Sequence, residues 1–282
     1  MSVEQEVTRR KFLGLCLGAA GGITAAILPF SAIESVASGL ESLAQSVPQP
    51  VEISEFQTTV LTYHEVTAAR LKSDLVARLQ RGEQPIALET MIHYLNGEWS
   101  APEVPTFLVT CDDGLLSQYD AVLEAIDYIQ DQSGWFIPVT FFALTKLKDF
   151  HGPFETMPGN TPCYNDGVHK YMTKNQLINL IQRGHRVENH TINHTNLLAI
   201  TLVGEIGKRN DEVERGEERI NKLWELAGAQ RKYKTLAYPY GAYNDDLVGY
   251  IEDLGYDAAF STQRTVTHSL DTRFILGRIG MT

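Results

Sequence analysis

From residue 58 to residue 279, short runs of β-formers alternate with stretches of helical spacing, and that alternation restricts the fold more than anything else in the chain. Residues 58–63 read as a first strand that ends at His64-Glu65. Leu and Val recur at helical spacing over 70–81, 86–88 reads as a short strand, and 89–96 as a helix stopped by Gly97. Strands follow at 106–111, 139–143, 186–189, 235–238, 258–261 and 274–279, with helices at 118–132, 174–183, 201–227 and 245–253 between them. Such an order implies an α/β fold with parallel strands and right-handed crossovers. The predicted form is a distorted barrel with its chemistry at the C-terminal ends of the strands. The charge-laced helix over 201–227 reads as a solvated face with i,i+4 pairs. The loop over 146–171, rich in Gly, Pro, Asn and His, is long enough to suggest a function of its own.

Residues 1–46 stand apart. Thr8-Arg9-Arg10-Lys11 is followed by Phe12-Leu13-Gly14-Leu15 and an apolar, Gly/Ala-rich run to Phe30, the pattern of an export signal. The twin arginines before Lys-Phe-Leu resemble the twin-arginine export motif, and Ser35-Val36-Ala37 supplies a cleavage site. The expectation is an exported protein, periplasmic, in the cell envelope or extracellular. The alternative is an uncleaved signal that anchors the chain at the membrane. A linker with Pro48 and Pro50 leads into the folded domain, taken as 47–282. Cys16 lies in the signal and is not a lipoprotein cysteine. Of the three cysteines, Cys111 and Cys163 remain, which is no disulfide framework. The net charge of −11 argues against nucleic acid or another polyanion as partner.

The strand over 106–111 ends abruptly in Asp112-Asp113-Gly114. Side chains alternate along a strand, so the two carboxylates can take different directions and different jobs. His190 and His194 are four apart, so on a helical turn they project from one side. Two imidazoles and one carboxylate make a three-ligand zinc-type site with room for water and substrate; other divalent ions of similar preference also fit. Taken alone, the Asp pair also fits an Asx-type turn, and the His pair fits chance. Together they sit at strand ends that a parallel barrel brings to one face, with His64 and Pro239-Tyr240 at two further ends.

At this point the residues match a family. Thr110-Cys111-Asp112-Asp113-Gly114 resembles the Thr-Phe-Asp-Asp-Gly motif of polysaccharide deacetylases, the family-4 carbohydrate esterases with the NodB-homology domain. His190-Thr191-Ile192-Asn193-His194 resembles their metal-binding histidine motif, and Ala237-Tyr238-Pro239-Tyr240-Gly241 the motif that usually reads Arg-x-Pro-Tyr. The resemblance covers residues 58–279 and implies a distorted (β/α)7-type barrel as the catalytic domain. It further implies that Asp113, His190 and His194 hold one divalent ion, zinc first, with cobalt or nickel as alternatives. Asp112 is then the general base that takes a proton from the attacking water. The oxyanion is stabilised by the metal and by a backbone N–H at Tyr240, beside Pro239. A general acid protonates the leaving amine, giving acetate and a free amino sugar.

The chain departs from the family pattern in two places. Ala237 stands where many members carry the arginine that orients the base, and no late Leu-x-x-His motif is recognisable near the C-terminus. Leu61-Thr62-Tyr63-His64 resembles instead the Tyr-His motif of a subgroup with a circularly permuted barrel, which includes deacetylases of poly-N-acetylglucosamine. That resemblance makes His64 the acid, with His268 as the rival. Arg278, at the end of the last strand, is the candidate to replace the missing arginine beside Asp112. Tyr63, Trp99, Trp135 and Tyr240 are candidates to stack on sugar faces. The expected partner is an N-acetylated glycan of the cell envelope or extracellular space, with no nucleic acid and a possible peripheral or N-terminal membrane association. Two other readings compete. A silent carbohydrate-binding relative commonly lacks the base that is present here as Asp112. An amidohydrolase of a small non-sugar amide would have a closed pocket rather than an open groove.

Overall fold

The computed structural model describes residues 55–146 and 153–281; the expected signal, and the linker over 47–54, lie outside them. The strands are β1 (Phe56–Gln57), β2 (Thr59–Tyr63), β3 (Gln84–Pro85), β4 (Thr106–Asp113), β5 (Val139–Ala143), β6 (Arg186–Asn189), β7 (Thr235–Ala237), β8 (Ala258–Phe260), β9 (Thr267–His268) and β10 (Ile279–Gly280). The helices are α1 (Ala68–Gln80), α2 (Leu88–Leu95), α3 (Leu116–Ser133), α4 (Lys174–Gln182), α5 (Leu197–Leu202), α6 (Ile206–Ala227) and α7 (Asp245–Asp253).

The main sheet is parallel and runs β10-β2-β4-β5-β6-β7-β8, with β3 added beside the start of β4. The last segment touches both of its edges. Leu276 bridges to Phe260 in parallel, and its N–H bonds the Ala259 carbonyl at 2.9 Å. Three residues later Ile279 pairs with Leu61 of β2. The sheet of seven strands therefore curls into the distorted barrel that the alternation predicts. β1 and β9 form a separate antiparallel pair.

Period-2 alternation along β4 separates two packed layers. Phe107, Val109 and Cys111 face the helices, in a core with Leu71 and Leu75 of α1 and Val122 and Ile126 of α3. Leu108 faces the opposite way, in the cluster with Val60, Phe142, Phe260 and Leu276. Asp112 falls on that inner side, two and four residues beyond Thr110 and Leu108. The helices start where their caps dictate. Thr67 Oγ1 accepts the Arg70 N–H ahead of α1, and Asn244 Oδ1 accepts the Leu247 N–H ahead of α7.

Three expectations are corrected. The short strand is Gln84–Pro85, not 86–88, because Leu88 opens α2 and is buried in its apolar face; three apolar residues carry no period by themselves. The helix over 201–227 is two helices, α5 and α6, broken at Gly204 with φ +77°. α6 is also no simply solvated face, since Glu212 and Glu217 are buried on it. A period of 3.6 gives every helix an inward stripe, and here two of its members are acids with partners. Among the described residues no helix is long and apolar enough to cross a membrane.

Candidate active site

Asp112 is 2 % exposed and would be an isolated charge in the barrel but for Arg278. Arg278 Nη1 and Nη2 donate to the two carboxylate oxygens at 2.6 and 2.7 Å, a fork-on-fork pair. The guanidinium is itself buried, donates through Nε to the Ser261 carbonyl at 3.0 Å, and lies over the Phe142 and Phe260 rings. Burial pushes the Asp112 carboxyl up. The Arg278 charge, then His190, the Arg278 hydrogen bonds and His64 outweigh it and bring it down to about 2. Asp112 is thus an ionised carboxylate held in one orientation. The arginine comes from the segment just before β10, not from β7, where Ala237 stands.

Asp113 leaves the strand pattern. Its φ of +75° turns the side chain away from the alternation that would send it among the helices. Gly114 follows at φ +74°, and a Cβ there would meet the Ala143 Cβ at 3.3 Å. Asp113 Oδ1 lies 3.4 Å from His190 Nε2 and 3.5 Å from His194 Nε2. One ligand atom from each of the three residues lies within 4.8 Å of the others. His190 Nδ1 is 2.8 Å from the Ala237 carbonyl, so it carries the proton and leaves the Nε2 lone pair for the site. Asp113 Oδ1 and His190 Nε2 are both buried without a hydrogen-bond partner. Two orphaned acceptors facing each other are unfavourable unless a cation sits between them, so this donor set fits a divalent ion of zinc type.

The histidines do not project from a helical turn. Residues 190–195 are loop, with Thr191 at φ +71° and His194 at φ +57°. Together with Asp113 and Tyr240 (φ +62°) these are the four non-glycine residues at positive φ among the described residues. Strained backbone is thus concentrated at this one site.

The other residues singled out by sequence divide into two groups. His64, 56 % exposed, has its Nε2 3.9 Å from Asp112 Oδ2. Tyr240 is exposed, with its ring 4.6 Å from that of His194, in a turn that begins at Pro239. His64, Asp113, His194 and Tyr240 line a cavity of about 420 Å³. His268 lies elsewhere, with Nε2 3.1 Å from the Thr58 carbonyl at the N-terminal end of β2. Tyr63 is buried and bonds Asp74, so it faces no ligand. Trp99 and Trp135 sit in the connections that enter β4 and β5 at their N-terminal ends, and Trp99 is stacked on His93.

Gln118 carries no motif that marks it in the sequence, yet it supports the site. Its Nε2 donates to the backbone carbonyls of His64 (2.7 Å) and Asp112 (2.5 Å), and its Oε1 accepts the Leu115 N–H at 3.1 Å. One glutamine in the first turn of α3 thereby ties together the ends of β2 and β4. The long loop adds Tyr164, Asp166, His169 and Tyr171 to the cavity wall. Asp166 Oδ2 accepts from His169 Nδ1 at 2.7 Å and from the Tyr171 hydroxyl at 2.9 Å, which fixes that wall. A second cavity of about 510 Å³ shares Tyr164, His169 and Tyr171 with the first. The two cavities adjoin at these side chains.

Known proteins can be set beside this geometry. The family model described as polysaccharide deacetylase matches residues 100–259. Among solved structures, the fold is similar to that of the Streptococcus pyogenes deacetylase PplD in complex with acetate. The TM-score is 0.63 at 18 % identity, over 81 % of this chain and 93 % of that one. IcaB from Ammonifex degensii gives 0.62 at 20 % identity, over 80 % and 92 %. The BpsB deacetylase domain from Bordetella bronchiseptica gives 0.58 at 17 % identity, over 83 % and 98 %. No curated protein matches the chain by sequence.

Proposed function

The chain belongs to the polysaccharide deacetylase family, and from that premise we propose that it is a metal-dependent hydrolase that removes N-acetyl groups from a cell-envelope or extracellular polysaccharide. The observation that carries the proposal is the division of labour between two adjacent carboxylates. Asp113 lies with His190 and His194 in one donor set, whereas both oxygens of Asp112 are held by Arg278.

Asp113, His190 and His194 would hold the ion. A divalent ion there supplies an acidified water and a polarised acetamide carbonyl, so that a base as weak as Arg278 makes Asp112 suffices. Asp112 takes the proton of the attacking water, with Arg278 keeping the carboxylate ionised and aimed. The backbone N–H of Tyr240, in the turn after Pro239, is the donor assigned to the developing oxyanion. His64 stands near Asp112 on the open side of the cavity, and delivers a proton to the leaving nitrogen. Acetate and a free amino sugar result. A second cavity beside the first offers room for more than one sugar unit, which supports a polymer over a small amide. The N-terminal pattern supports export, with a cleaved or anchoring signal, as the location where such a polymer is met.

The test is acetate release from N-acetylglucosamine oligomers by the metal-loaded protein, beside Asp112→Asn. The wild type is expected to release acetate. The variant should keep its metal and lose about 10²- to 10⁴-fold in rate, the usual worth of a positioned acid or base. An intact, metal-bound wild type that released nothing from any glycan would instead support a carbohydrate-binding relative.

A further inference from the structure

We infer that Glu212 is a positioning residue for the metal centre: its carboxylate sets the shape of the loop that presents His190 and His194. The inference rests on the metal-dependent reading above. Glu212 is on α6, is 3 % exposed and makes no hydrogen bond to the three ligand side chains. All of its hydrogen bonds go to the loop. Oε2 accepts the backbone N–H groups of Ile192 at 3.2 Å and Asn193 at 2.8 Å. Oε1 accepts the Asn193 side-chain amide at 2.6 Å and the Thr195 hydroxyl at 2.7 Å. Four donors converge on one side chain, and a carboxylate is the group with acceptor sites for all of them.

The loop needs this support. Thr191 and His194 both hold left-handed backbone, which persists only where the surroundings dictate it. Asn189 Oδ1 accepts the Thr191 N–H at 2.8 Å, and Thr191 Oγ1 accepts the His194 N–H at 3.1 Å. These bonds shape the two ends of the loop, and Glu212 holds its middle. The resulting shape brings the His190 and His194 rings to 4.9 Å between centroids, on the same side as Asp113. Without the brace, His194 is free to swing with its backbone, and the donor set is no longer preformed.

The test measures zinc and cobalt affinity by chelator competition on the full chain, with the cobalt absorption spectrum as a report on ligand geometry. Glu212→Gln puts an amide N–H₂ where two donors already point. It should weaken binding about 10- to 100-fold, as loss of a partner behind metal ligands typically does, and alter the cobalt spectrum. Thr195→Val removes one of the four bonds and should show a smaller loss in the same direction. Glu214→Gln, on the same helix but bonded to the Tyr250 hydroxyl away from the loop, should leave affinity within about twofold. A folded Glu212→Gln protein with wild-type affinity and spectrum overturns the inference. If that variant fails to fold, unchanged affinity in Thr195→Val overturns it. A wild type that takes up neither ion fails at an earlier step and removes the metal reading with it.

Discussion

Replacing Arg278 by methionine should destabilise the protein sharply. Asp112 is 2 % exposed, and both of its oxygens are held by the guanidinium at 2.6 and 2.7 Å. Methionine fills much of the space but strands the carboxylate. Stripping the partner from a buried charge costs about 3–5 kcal/mol. At roughly 2–4 °C per kcal/mol for a domain of this size, the melting temperature falls by about 6–20 °C. The deacetylation rate should fall as well, because the buried carboxylate escapes its charge by taking up a proton, and a protonated Asp112 is no base. Arg278→Lys should fall between, since it keeps the charge but loses the fork. The informative variant is the double one, Asp112→Leu with Arg278→Met. It removes both charges and should recover much of the lost stability, though not all, because the Ser261 carbonyl still lacks its donor. Urea unfolding of the metal-free proteins, followed by circular dichroism, gives the four corners of the cycle. An Arg278→Met protein within about 1 kcal/mol of wild type, or a double variant no more stable than the single, would refute the claim that this pair holds the base in place.

Two further expectations concern pH. Burial, then the nearby Arg183 charge, lowers the His185 pKa to about 4, and its Nδ1 accepts the Val139 N–H at 3.3 Å. A histidine depressed in the folded state contributes stability that is complete above its unfolded pKa of about 6.5 and is lost as pH falls towards 4, by about 3 kcal/mol in all. His185→Gln keeps an acceptor for Val139 but does not titrate. Unfolding free energies measured from pH 7.5 down to 4.5 should therefore fall about 2.5 kcal/mol further for the wild type than for the variant, and parallel curves would contradict this. If His64 is the general acid, the alkaline, acid-requiring limb of the pH–rate profile should vanish in His64→Ala; a limb that persists assigns the proton to another group.

The element order was legible because period and composition are local. Val139–Ala143, Arg186–Asn189 and Asp245–Asp253 come out with the bounds that their residues predict. Boundaries failed where a local signal was ambiguous. Leu88 belongs equally to a strand end or a helix start until the core decides. Gly204 in a helical pattern reads as tolerable until its φ of +77° breaks the helix. The chemistry-bearing motifs were legible for another reason. Asp112-Asp113-Gly114 and the two histidines need particular residue types at particular spacings, whatever the surrounding packing. What supports them was not. Gln118 is an unremarkable helix-start residue until its amide is seen on the carbonyls of His64 and Asp112, 54 and 6 residues away. The same holds for Glu212, one acid among many on a charged helix. Among the aromatics, exposure alone separates Tyr240 at the cavity from Tyr63 in the core.

The sequence by itself determined the alternation of strands and helices, and with it a parallel barrel whose strand ends collect the reactive residues. It also determined which residue types stand at those ends. Only the tertiary structure decided how they divide the work. Positive φ at Asp113 points one carboxylate at the histidines, while pleat alternation keeps its neighbour inside the barrel. Curling of the sheet then brings Arg278 onto that neighbour from 166 residues away. The physical reason is range: period, propensity and motif are written within a few residues, whereas compensation of a buried charge depends on which distant strand closes the ring.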